Sequence, residues 1–511
     1  MNESSKIAQR FWELAKSQPE KLALQFGMPG QTEEFDFAKF WRRVERVTGH
    51  LQSTHGLKVG QRVAWLGLNH ELQLVTLVAC ARLGLIFMPL NFRLALAELQ
   101  SVLQDAKPSI LIHDEMHADA AISLSKAGPP CFQLESLIAS PSSKNLALPV
   151  VNDDADVLLV YTSGTTGLPK GAVHTQAGLL ANAQASHEAH EFNATDIVLS
   201  TLPMFHVGGL CIQTLPALLA GVSVHLHPRF DASAWLYAIS NVEVAKRPTL
   251  SLLVPATMRA VLENAQWLGA DLTSLRGIMT GSSSLPQAYL EKFHERGVPV
   301  GQIYGTTETG PVSVILKFRD AVQRIGFAGW PHAKLELQLI DSEGRAVKQG
   351  AIGEVRVRGS NLMRGYWCAA TQAAKEGLND GWFHTGDMGF LDVQGCLQIV
   401  GRNKDMIISG GENIYPAEIE NALAAFPGLL ECAVVGLPDE RWGEVPVLVL
   451  VRTSTAAGQN LSEAAVKTHL EAQIARFKLP RRVVFLDELP KSALGKVQKS
   501  ILQKQMMALN S

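Results

Sequence analysis

The chain has 511 residues, of which 47% are hydrophobic and 18% are charged. This length predicts roughly three structural units, and the hydrophobic fraction argues against disorder. Lys and Arg number 46 against 48 Asp and Glu, a formal net charge of −2, which excludes a broad basic surface for nucleic acid. The six cysteines form no C-x-x-C pair. They indicate reduced thiols in a cytoplasmic protein rather than a disulfide framework or a zinc site.

The N-terminal segment and one long uncharged stretch bear on localisation. The polar segment 1–6 predicts no secretory signal. Residues 197–224 contain no Asp, Glu, Lys or Arg and are numerous enough to span a membrane. However, the stretch is interrupted by Pro203, Gly208, Gly209, Gln213, Pro216 and Gly221. We therefore expect a strand, a turn, a buried helix and a second strand, with no membrane span.

Short apolar runs alternate with helical patterns through the first two thirds of the chain. This alternation predicts layers of helices on largely parallel sheets, an α/β fold. A helix rich in Ala and Leu is predicted at 178–189. The strands predicted in this region are 62–66, 109–112, 157–161, 197–202, 223–226 and 250–254.

A loop rich in Gly, Ser and Thr follows the strand at 157–161. Small residues let backbone N–H groups approach an anion closely, and a lysine adds a positive charge. A phosphate-binding loop is favoured over a linker, although the spacing matches neither G-x-x-x-x-G-K-[ST] nor G-x-G-x-x-G. The candidate phosphate-binding residues are Thr162, Ser163, Gly164, Thr165, Thr166, Gly167 and Lys170.

The sequence pattern changes after residue 326. Strands at 335–340 and 353–358 alternate apolar and polar residues, which predicts a small antiparallel β region. A boundary is predicted near 401–405, so the domains are expected to be 1–400 and 401–511. The second is predicted to be an α+β unit, with a helix starting near Pro416. Its other predicted elements are strands at 432–435, 445–451 and 482–486 and a helix at 461–474.

Five motifs, taken together and in this order, resemble the adenylate-forming superfamily of acyl-CoA synthetases, adenylation domains and luciferases. They are YTSGTTGLPKG at 161–171, YGTTE at 304–308, FHTGD at 383–387, Gly401-Arg402 with Lys404-Asp405, and PKSALGK at 490–496. The resemblance covers nearly the whole chain and is greatest to short bacterial fatty-acid or aryl acid–CoA ligases. It implies a large N-terminal domain of α/β subdomains with a small β-barrel-like region, followed by a small mobile α+β domain.

The resemblance also implies a two-step reaction. A carboxylate attacks the α-phosphorus of ATP to give an acyl-adenylate and pyrophosphate, and the thiol of CoA then displaces AMP. The first step brings two anions together, so the protein must offset charge and hold geometry. The expected substrates are a carboxylic acid, ATP with Mg²⁺, and CoA. The assembly is left open, with a homodimer as one option.

The resemblance assigns roles around ATP residue by residue. Glu308 is expected to hold Mg²⁺, and Thr307 to donate to the α-phosphate. Asp387 would accept both ribose hydroxyls, and Arg402 would reach the ribose from the domain boundary. Tyr304 would cover the adenine. The remaining expected nucleotide contacts are Gly281, Ser282, Gly305 and Thr306.

Three further residues are expected to serve in adenylation or in the rotation of the small domain. His206 would lie between the acyl and phosphate sites. Lys496 would bridge the carboxylate and the α-phosphate during adenylation. Lys404 matches the hinge about which the small domain would rotate between the two half-reactions. Taken alone, a lysine so near the C-terminus is ordinarily a solvated charge.

The thiol and acyl sites follow from weaker correspondences. The expected CoA contacts are Arg93, Gly410, Gly411, Trp442, Phe477 and Lys478. The expected acyl pocket is Val207, Gly208, Leu252, Ile303, Gly310 and Pro311, together with His206, Ser282 and Gly305. The absence of Arg or Lys from this set disfavours a dicarboxylic or amino acid. Gly208 and Gly310 suggest room for a chain, which favours a medium or long fatty acid.

Four alternatives remain open from the sequence. The acid could be aromatic, of benzoate or hydroxycinnamate type. The acyl group could pass to a carrier-protein thiol instead of CoA. An oxygenase resembling luciferase has no feature in its favour. A nucleotide-binding regulator without catalysis is disfavoured, because a binder would not need Lys170, Glu308, Asp387 and Lys496 together.

Overall fold

The computed structural model describes residues 4–139, 148–162, 169–281, 287–371, 373–375, 378–410, 412–424, 426–491 and 496–509, without the side chains of 373–375. Within these residues the chain forms 26 strands and 16 α-helices. The strands belong to four sheets. This arrangement confirms the α/β fold class with a large N-terminal part and a small C-terminal part.

The strands are, in chain order, β1 (Leu22–Met28), β2 (Gln31–Asp36), β3 (Arg62–Leu66), β4 (Ile86–Pro89), β5 (Ile110–His113), β6 (Cys131–Gln133), β7 (Asp156–Thr162), β8 (Lys170–Thr175), β9 (Ile197–Ser200), β10 (Ser223–Leu226), β11 (Leu250–Leu253), β12 (Gly277–Gly281), β13 (Val300–Tyr304), β14 (Val314–Leu316), β15 (Trp330–Pro331), β16 (Glu336–Ile340), β17 (Gly353–Arg358), β18 (Gly365–Cys368), β19 (Ala373–Lys375), β20 (Phe383–Leu391), β21 (Leu397–Arg402), β22 (Ile407–Ser409), β23 (Glu412–Ile414), β24 (Leu429–Asp439), β25 (Gly443–Arg452) and β26 (Arg482–Leu486).

The α-helices are α1 (Lys6–Ser17), α2 (Phe37–Gly49), α3 (Glu71–Leu83), α4 (Leu96–Ala106), α5 (Ala118–Ser125), α6 (Ser136–Ala139), α7 (Gln176–His190), α8 (Leu215–Ala220), α9 (Ala232–Ser240), α10 (Pro255–Leu262), α11 (Gln287–Glu295), α12 (Phe318–Ala321), α13 (Pro416–Ala422), α14 (Ala456–Gln459), α15 (Glu463–Gln473) and α16 (Lys499–Ala508). Two π-helical segments lie at His50–Thr54 and Gly208–Thr214.

The first large sheet has nine strands in the order β15-β14-β13-β12-β11-β9-β10-β1-β2. Its central pairs, from β13 through β12, β11, β9 and β10 to β1, are parallel. Strands β9, β10 and β11 are almost entirely buried, as expected for parallel strands covered on both faces. The carboxyl ends of β9, β11, β12 and β13 therefore meet along one edge.

The second large sheet has eight strands in the order β19-β18-β8-β7-β4-β3-β5-β6. Helix α3 is buried over its whole length and packs into one apolar cluster with residues of both large sheets. The loop predicted to bind phosphate lies between β7 and β8, which pair antiparallel. Sequence reasoning missed β8, since its short run Lys170–Thr175 carries no strong strand pattern.

The antiparallel β region predicted after residue 326 is confirmed as a four-stranded sheet, β16-β17-β20-β21. Its register places Asp387 of β20 opposite Arg402 of β21. The predicted division of the chain between residues 400 and 401 stays a prediction, and β21 continues across it to Arg402.

The C-terminal residues form their own sheet, β23-β22-β25-β24, with β26 parallel to β25. Two apolar clusters cover its faces, one with α13 and α15 and the other with α16. The α+β prediction for this unit is thus confirmed.

The uncharged stretch at 197–224 folds as predicted. It contains β9, the π-helical segment Gly208–Thr214, α8 and the start of β10. Over the residues described, no helix is both long and apolar enough to cross a membrane.

Candidate active site

Several predicted site residues lie along the carboxyl edge of the parallel strands in the first sheet. Gly281 ends β12 and Tyr304 ends β13, while His206 follows the end of β9 by six residues. In open α/β sheets ligands bind in the crevice outside this edge. The fold therefore brings together residues that are about a hundred positions apart in sequence.

A buried carboxylate links the first sheet to the four-stranded sheet. Asp387 is 5% exposed and accepts hydrogen bonds from Tyr304 Oη and Arg402 Nε, both at 2.9 Å. Burial raises the pKa of Asp387, and the Arg402 charge opposes that rise. Burial and the Asp387 charge together raise the pKa of Tyr304 well above its usual value. The tyrosine hydroxyl therefore remains a donor at neutral pH.

A second carboxylate, Glu308, lies beside an aromatic residue that sequence reasoning missed. Tyr366 Oη donates to Glu308 Oε1 at 2.9 Å, and Lys170 Nζ lies 5.2 Å from the centre of the Tyr366 ring. The backbone of Glu308 is fixed as well, because its carbonyl accepts from Met363 N at 2.7 Å. Tyr366 belongs to β18, and its motif Gly365-Tyr366-Trp367 gives no sign by itself of a partner 58 residues away.

Lys496 belongs to the C-terminal unit but acts electrostatically on groups of the large part. The Lys496 charge acts to lower the pKa values of His206 and Asp387. The Glu308 charge acts to raise the pKa of Lys496. Burial among the surrounding groups is the largest effect and lowers the pKa of Lys496, with Arg402 lowering it further. The side chain nevertheless keeps solvent contact. The structure thus brings Lys496 within electrostatic reach of Glu308, Asp387 and Arg402.

His206 is held as a neutral imidazole. Burial lowers its pKa to about 4, with the Lys496 charge as a second cause. Nδ1 accepts a hydrogen bond from the backbone N–H of Gly208 at 3.0 Å. A neutral ring that accepts at Nδ1 carries its proton on Nε2. His206 can therefore donate from Nε2.

Two hydroxyls of the YGTTE segment are buried near these carboxylates. Thr307 is 6% exposed. The Oγ1 atom of Thr306 is buried with no hydrogen-bond partner among the described residues. A buried hydroxyl without a partner is costly unless a ligand completes its bonding.

Three site glycines are explained by close packing. A Cβ on Gly281 would lie 2.6 Å from the carbonyl oxygen of Ile303, and one on Gly305 would lie 2.2 Å from that of Pro311. Gly310 has φ +66°, and its Cβ would lie 2.2 Å from the carbonyl oxygen of Asn361. The side-chain space at Gly310 is thus filled by backbone, so the lack of a side chain there does not provide room for an acyl chain.

An apolar cluster adjoins the sheet edge and includes two of the predicted acyl-pocket residues, Leu252 and Ile303. The cluster consists of Ala185, Ala189, Leu202, Ile212, Leu252, Met279, Ile303, Val312 and Ile315. Val207 packs elsewhere, in the cluster shared by the two large sheets. Ile212 and Met279 are further members of this cluster that the sequence did not single out, because apolar residues are ordinary in a core helix and strand.

The expected CoA residues of the C-terminal unit are close to one another. Gly410 N donates to the carbonyl of Trp442 at 2.8 Å, and the guanidinium groups of Arg441 and Arg481 lie 5.0 and 5.2 Å from the Trp442 ring centre. Cations over the indole face stabilise its orientation. Lys478 instead pairs with Glu418 at 2.6 Å.

The remaining predicted site residues lie in several separate places. Arg93 lies over the rings of Phe92 and Phe205, and Phe477 is 48% exposed. Lys404 lies exposed in a 3-10 turn after β21. Thr162 Oγ1 donates to the carbonyl of Lys170 at 3.3 Å. The predicted residues outside the described part of the chain are Ser163, Gly164, Thr165, Thr166, Gly167, Ser282 and Gly411.

Magnesium has one candidate ligand here. In the described part of the chain, no group of three or more His, Cys, Asp or Glu side chains could hold a metal ion. Mg²⁺ is commonly bound through one or two carboxylates together with substrate phosphates. The single carboxylate of Glu308 fits that mode.

Comparisons with known proteins agree with this geometry. Residues 11–367 match the AMP-binding enzyme family, and residues 418–496 match the AMP-binding enzyme C-terminal domain. An indoleacetate–CoA ligase of Aromatoleum aromaticum is 45% identical over 494 residues, 94% of each chain. A long-chain fatty acid–CoA ligase of Mycobacterium tuberculosis is 32% identical over 463 residues, 89% of this chain and 90% of that one.

A solved structure extends the likeness to three dimensions. The o-succinylbenzoate CoA synthetase of Bacillus subtilis, in complex with its acyl-adenylate intermediate, superposes with a TM-score of 0.85. It is 29% identical and covers 97% of each chain. With the carboxylates, the lysine and the sheet edge arranged as described, the chain belongs to the AMP-binding enzyme family, the adenylate-forming superfamily, and is an AMP-forming acid–CoA ligase.

Proposed function

We propose that the chain activates an apolar aromatic monocarboxylic acid of the indoleacetate type and transfers it to CoA. The observation that carries this proposal is the uncharged cluster around Leu252, Met279 and Ile303. A second carboxylate or an ammonium group on the acid would lose its hydration there without a charged partner. The same cluster is compatible with a ring or with a short chain.

Two observations favour an aromatic acid over the fatty acid that the sequence suggested. The space at Gly310 is filled by the Asn361 carbonyl, so the glycine no longer argues for a chain. The indoleacetate–CoA ligase is also more similar to this chain, at 45% identity, than the fatty acid–CoA ligase, at 32%. The fatty acid remains the second candidate because the match to that relative spans 90% of the relative's length.

In the adenylation step the chain's residues divide between holding the nucleotide and offsetting charge. Asp387 would accept the ribose hydroxyls with its remaining lone pairs, while Tyr304 and Arg402 hold the carboxylate in place. Lys496 would reduce the repulsion between the substrate carboxylate and the α-phosphate, a form of electrostatic stabilisation. Thr307 and Lys170, with the loop 162–167, would donate to the phosphates.

Glu308 and His206 would complete this arrangement. Glu308 would hold the Mg²⁺ that accompanies ATP, and the ion would offset phosphate charge when bound. His206, neutral with its proton on Nε2, would donate a hydrogen bond toward the carboxylate or the α-phosphate. A neutral imidazole would orient these anions without neutralising them.

In the thioester step the C-terminal unit would rotate about Lys404 and remove Lys496. Trp442 and Gly410 would then line the thiol channel, with Gly411, Phe477, Lys478 and Arg93 as further CoA contacts. The packing of Gly410 against Trp442 supports a joint role, because a Cβ on Gly410 would lie 2.6 Å from the indole ring. The hinge and channel assignments are predictions.

The test is a panel of acids assayed by AMP release with and without CoA. The panel contains indole-3-acetate, phenylacetate, ferulate, benzoate, octanoate and palmitate. We expect indole-3-acetate or another aromatic acid to give the highest kcat/KM, with AMP release dependent on CoA. A kcat/KM at least tenfold higher for octanoate or palmitate than for every aromatic acid would replace the proposal with the fatty-acid candidate.

A further inference from the structure

Gln213 is a buried amide in the π-helical segment Gly208–Thr214, seven positions after His206. Its side chain is 2% exposed. Nε2 donates to the backbone carbonyl of Ser251 at 3.2 Å, whereas Oε1 has no hydrogen-bond partner among the described residues. The amide therefore has one end anchored and an acceptor that the protein leaves unused.

The surroundings of Gln213 fix which end of the amide stays available. Ser251 cannot serve Oε1, since its hydroxyl accepts from Trp235 Nε1 and donates to the Leu199 carbonyl, both at 3.0 Å. Nε2 donates to the Ser251 carbonyl of β11. Oε1 is bonded to the same amide carbon, so it also lies close to β11.

This acceptor lies near the apolar cluster that contains Leu252 and Ile303, called here the acyl cluster. Ile212, the residue before Gln213, is a member of that cluster, and so is Leu252, the residue after Ser251. Leu252 is the last residue but one of β11, near the sheet edge where His206 and Tyr304 are found. The amide of Gln213 therefore lies next to the backbone of β11 that carries Leu252, beside this apolar cluster.

We propose that Gln213 Oε1 accepts a hydrogen bond from an N–H or O–H group on the ring of the acyl substrate. Gln213 would then select heteroaromatic or phenolic acids over acids of the same shape without a donor. This inference rests on the proposed function, because a saturated fatty acid carries no donor on its chain. A buried acceptor left unpaired is unfavourable, and a substrate donor would remove that penalty.

The test compares two acids of nearly equal shape, indole-3-acetate and 1-benzothiophene-3-acetate, in which sulfur replaces the ring N–H. For the unaltered enzyme we expect kcat/KM to be about 2- to 12-fold higher for the indole acid, the range expected for one net hydrogen bond. In Gln213→Met, a substitution of similar length, the ratio should fall to about one while activity on the benzothiophene acid is retained.

Gln73→Met is the matched control. Gln73 is 1% exposed, and its Oε1 also has no partner among the described residues. It lies in α3, whose apolar residues belong to the cluster shared by the two large sheets. This variant should keep the ratio of the unaltered enzyme. A general effect of losing a buried amide would change both variants alike and would overturn the assignment.

If Gln213→Met does not fold, the comparison of the two acids on the unaltered enzyme still tests the role of Gln213. Equal kcat/KM values for the two acids would overturn the role of Gln213 and leave the proposed function intact. Failure of both acids, with octanoate or palmitate turned over, would overturn the proposed function and this inference together. An unchanged ratio in folded Gln213→Met would show that another group reads the donor.

Discussion

Asp387 and Lys496 bring opposite charges to one site, but the fold holds them by different means. Asp387 lies within β20, paired opposite Arg402 and bonded to two side chains. Lys496 precedes α16 in the C-terminal unit and reaches the site through the arrangement of that unit against the rest. Strand register fixes the aspartate, whereas docking of a separate sheet fixes the lysine.

Trp442 lies in the same unit as Lys496 but differs from it in its contacts. Gly410, Arg441 and Arg481, all of the C-terminal unit, lie against its ring. Lys496 instead interacts with groups of the large part. One small unit therefore offers two different surfaces, which suits an enzyme with two successive half-reactions. Substitutions at these residues can separate groups needed in both steps from groups needed in one.

The largest effect is expected for Lys496→Ala. Loss of an electrostatic group aimed at the reacting oxygens should slow the overall reaction by about 10²–10³. Thioester formation from supplied acyl-adenylate and CoA should stay near its normal rate, because Lys496 would have left the site. Single-turnover measurements of both reactions test this.

Lys504→Ala is the control for Lys496, since Lys504 is an exposed lysine of α16 and should change neither reaction. An equal loss in both reactions of Lys496→Ala would mean that the lysine serves both steps or that the unit does not rotate. No loss in either would make it a solvated lysine.

Asp387→Ala should raise the KM for ATP. Each lost hydrogen bond between the carboxylate and a ribose hydroxyl is worth about 1.5–3 kcal/mol, or roughly 10- to 100-fold. Because Asp387 is held by the sheet, the effect should appear in pyrophosphate exchange as well as in the full reaction. Glu336→Ala, which removes an exposed carboxylate paired with Arg358 in the same sheet, should leave the KM unchanged. Unaltered ATP affinity in Asp387→Ala would remove that residue from the site.

Trp442→Ala should raise the KM for CoA by about tenfold or less, the order of one lost cation–π or stacking contact. Pyrophosphate exchange should be preserved, because adenylation does not use the thiol channel. Trp382→Ala is a matched control, since Trp382 also lies beside two guanidinium groups, those of Arg356 and Arg358 of the four-stranded sheet. A parallel fall of exchange and thioester formation in Trp442→Ala would contradict the CoA assignment.

Tyr366→Phe should have the smallest effect. It removes the hydroxyl that donates to Glu308, so we expect the Mg²⁺ concentration for half-maximal adenylation to change by a few-fold, in line with one net hydrogen bond. The KM for CoA should not change. Titration of Mg²⁺ at fixed ATP measures the first quantity. A change in CoA use alone would place Tyr366 outside the nucleotide site.

The sequence determined the reaction type because short motifs contain the residues that the reaction needs. The spacing within 304–308 and 383–387 already places a carboxylate beside small or hydroxyl residues, and the order of five motifs identifies the superfamily. Most strands were predictable too: Ser223–Leu226 and Gly353–Arg358 are found with the predicted bounds. Such features depend on local hydrophobic pattern and turn chemistry.

Other features depended on contacts between distant residues. Tyr366 meets Glu308 across 58 positions, and Tyr304 meets Asp387 across 83. The side-chain space at Gly310 is filled by Asn361, so a glycine that suggested ligand room in the sequence proved to be a packing requirement. The unused acceptor of Gln213 likewise appears only once Ser251 is seen to hold the other end of the amide. Local motifs specify which chemical groups are present, whereas tertiary packing decides which of those groups remain free to meet a substrate.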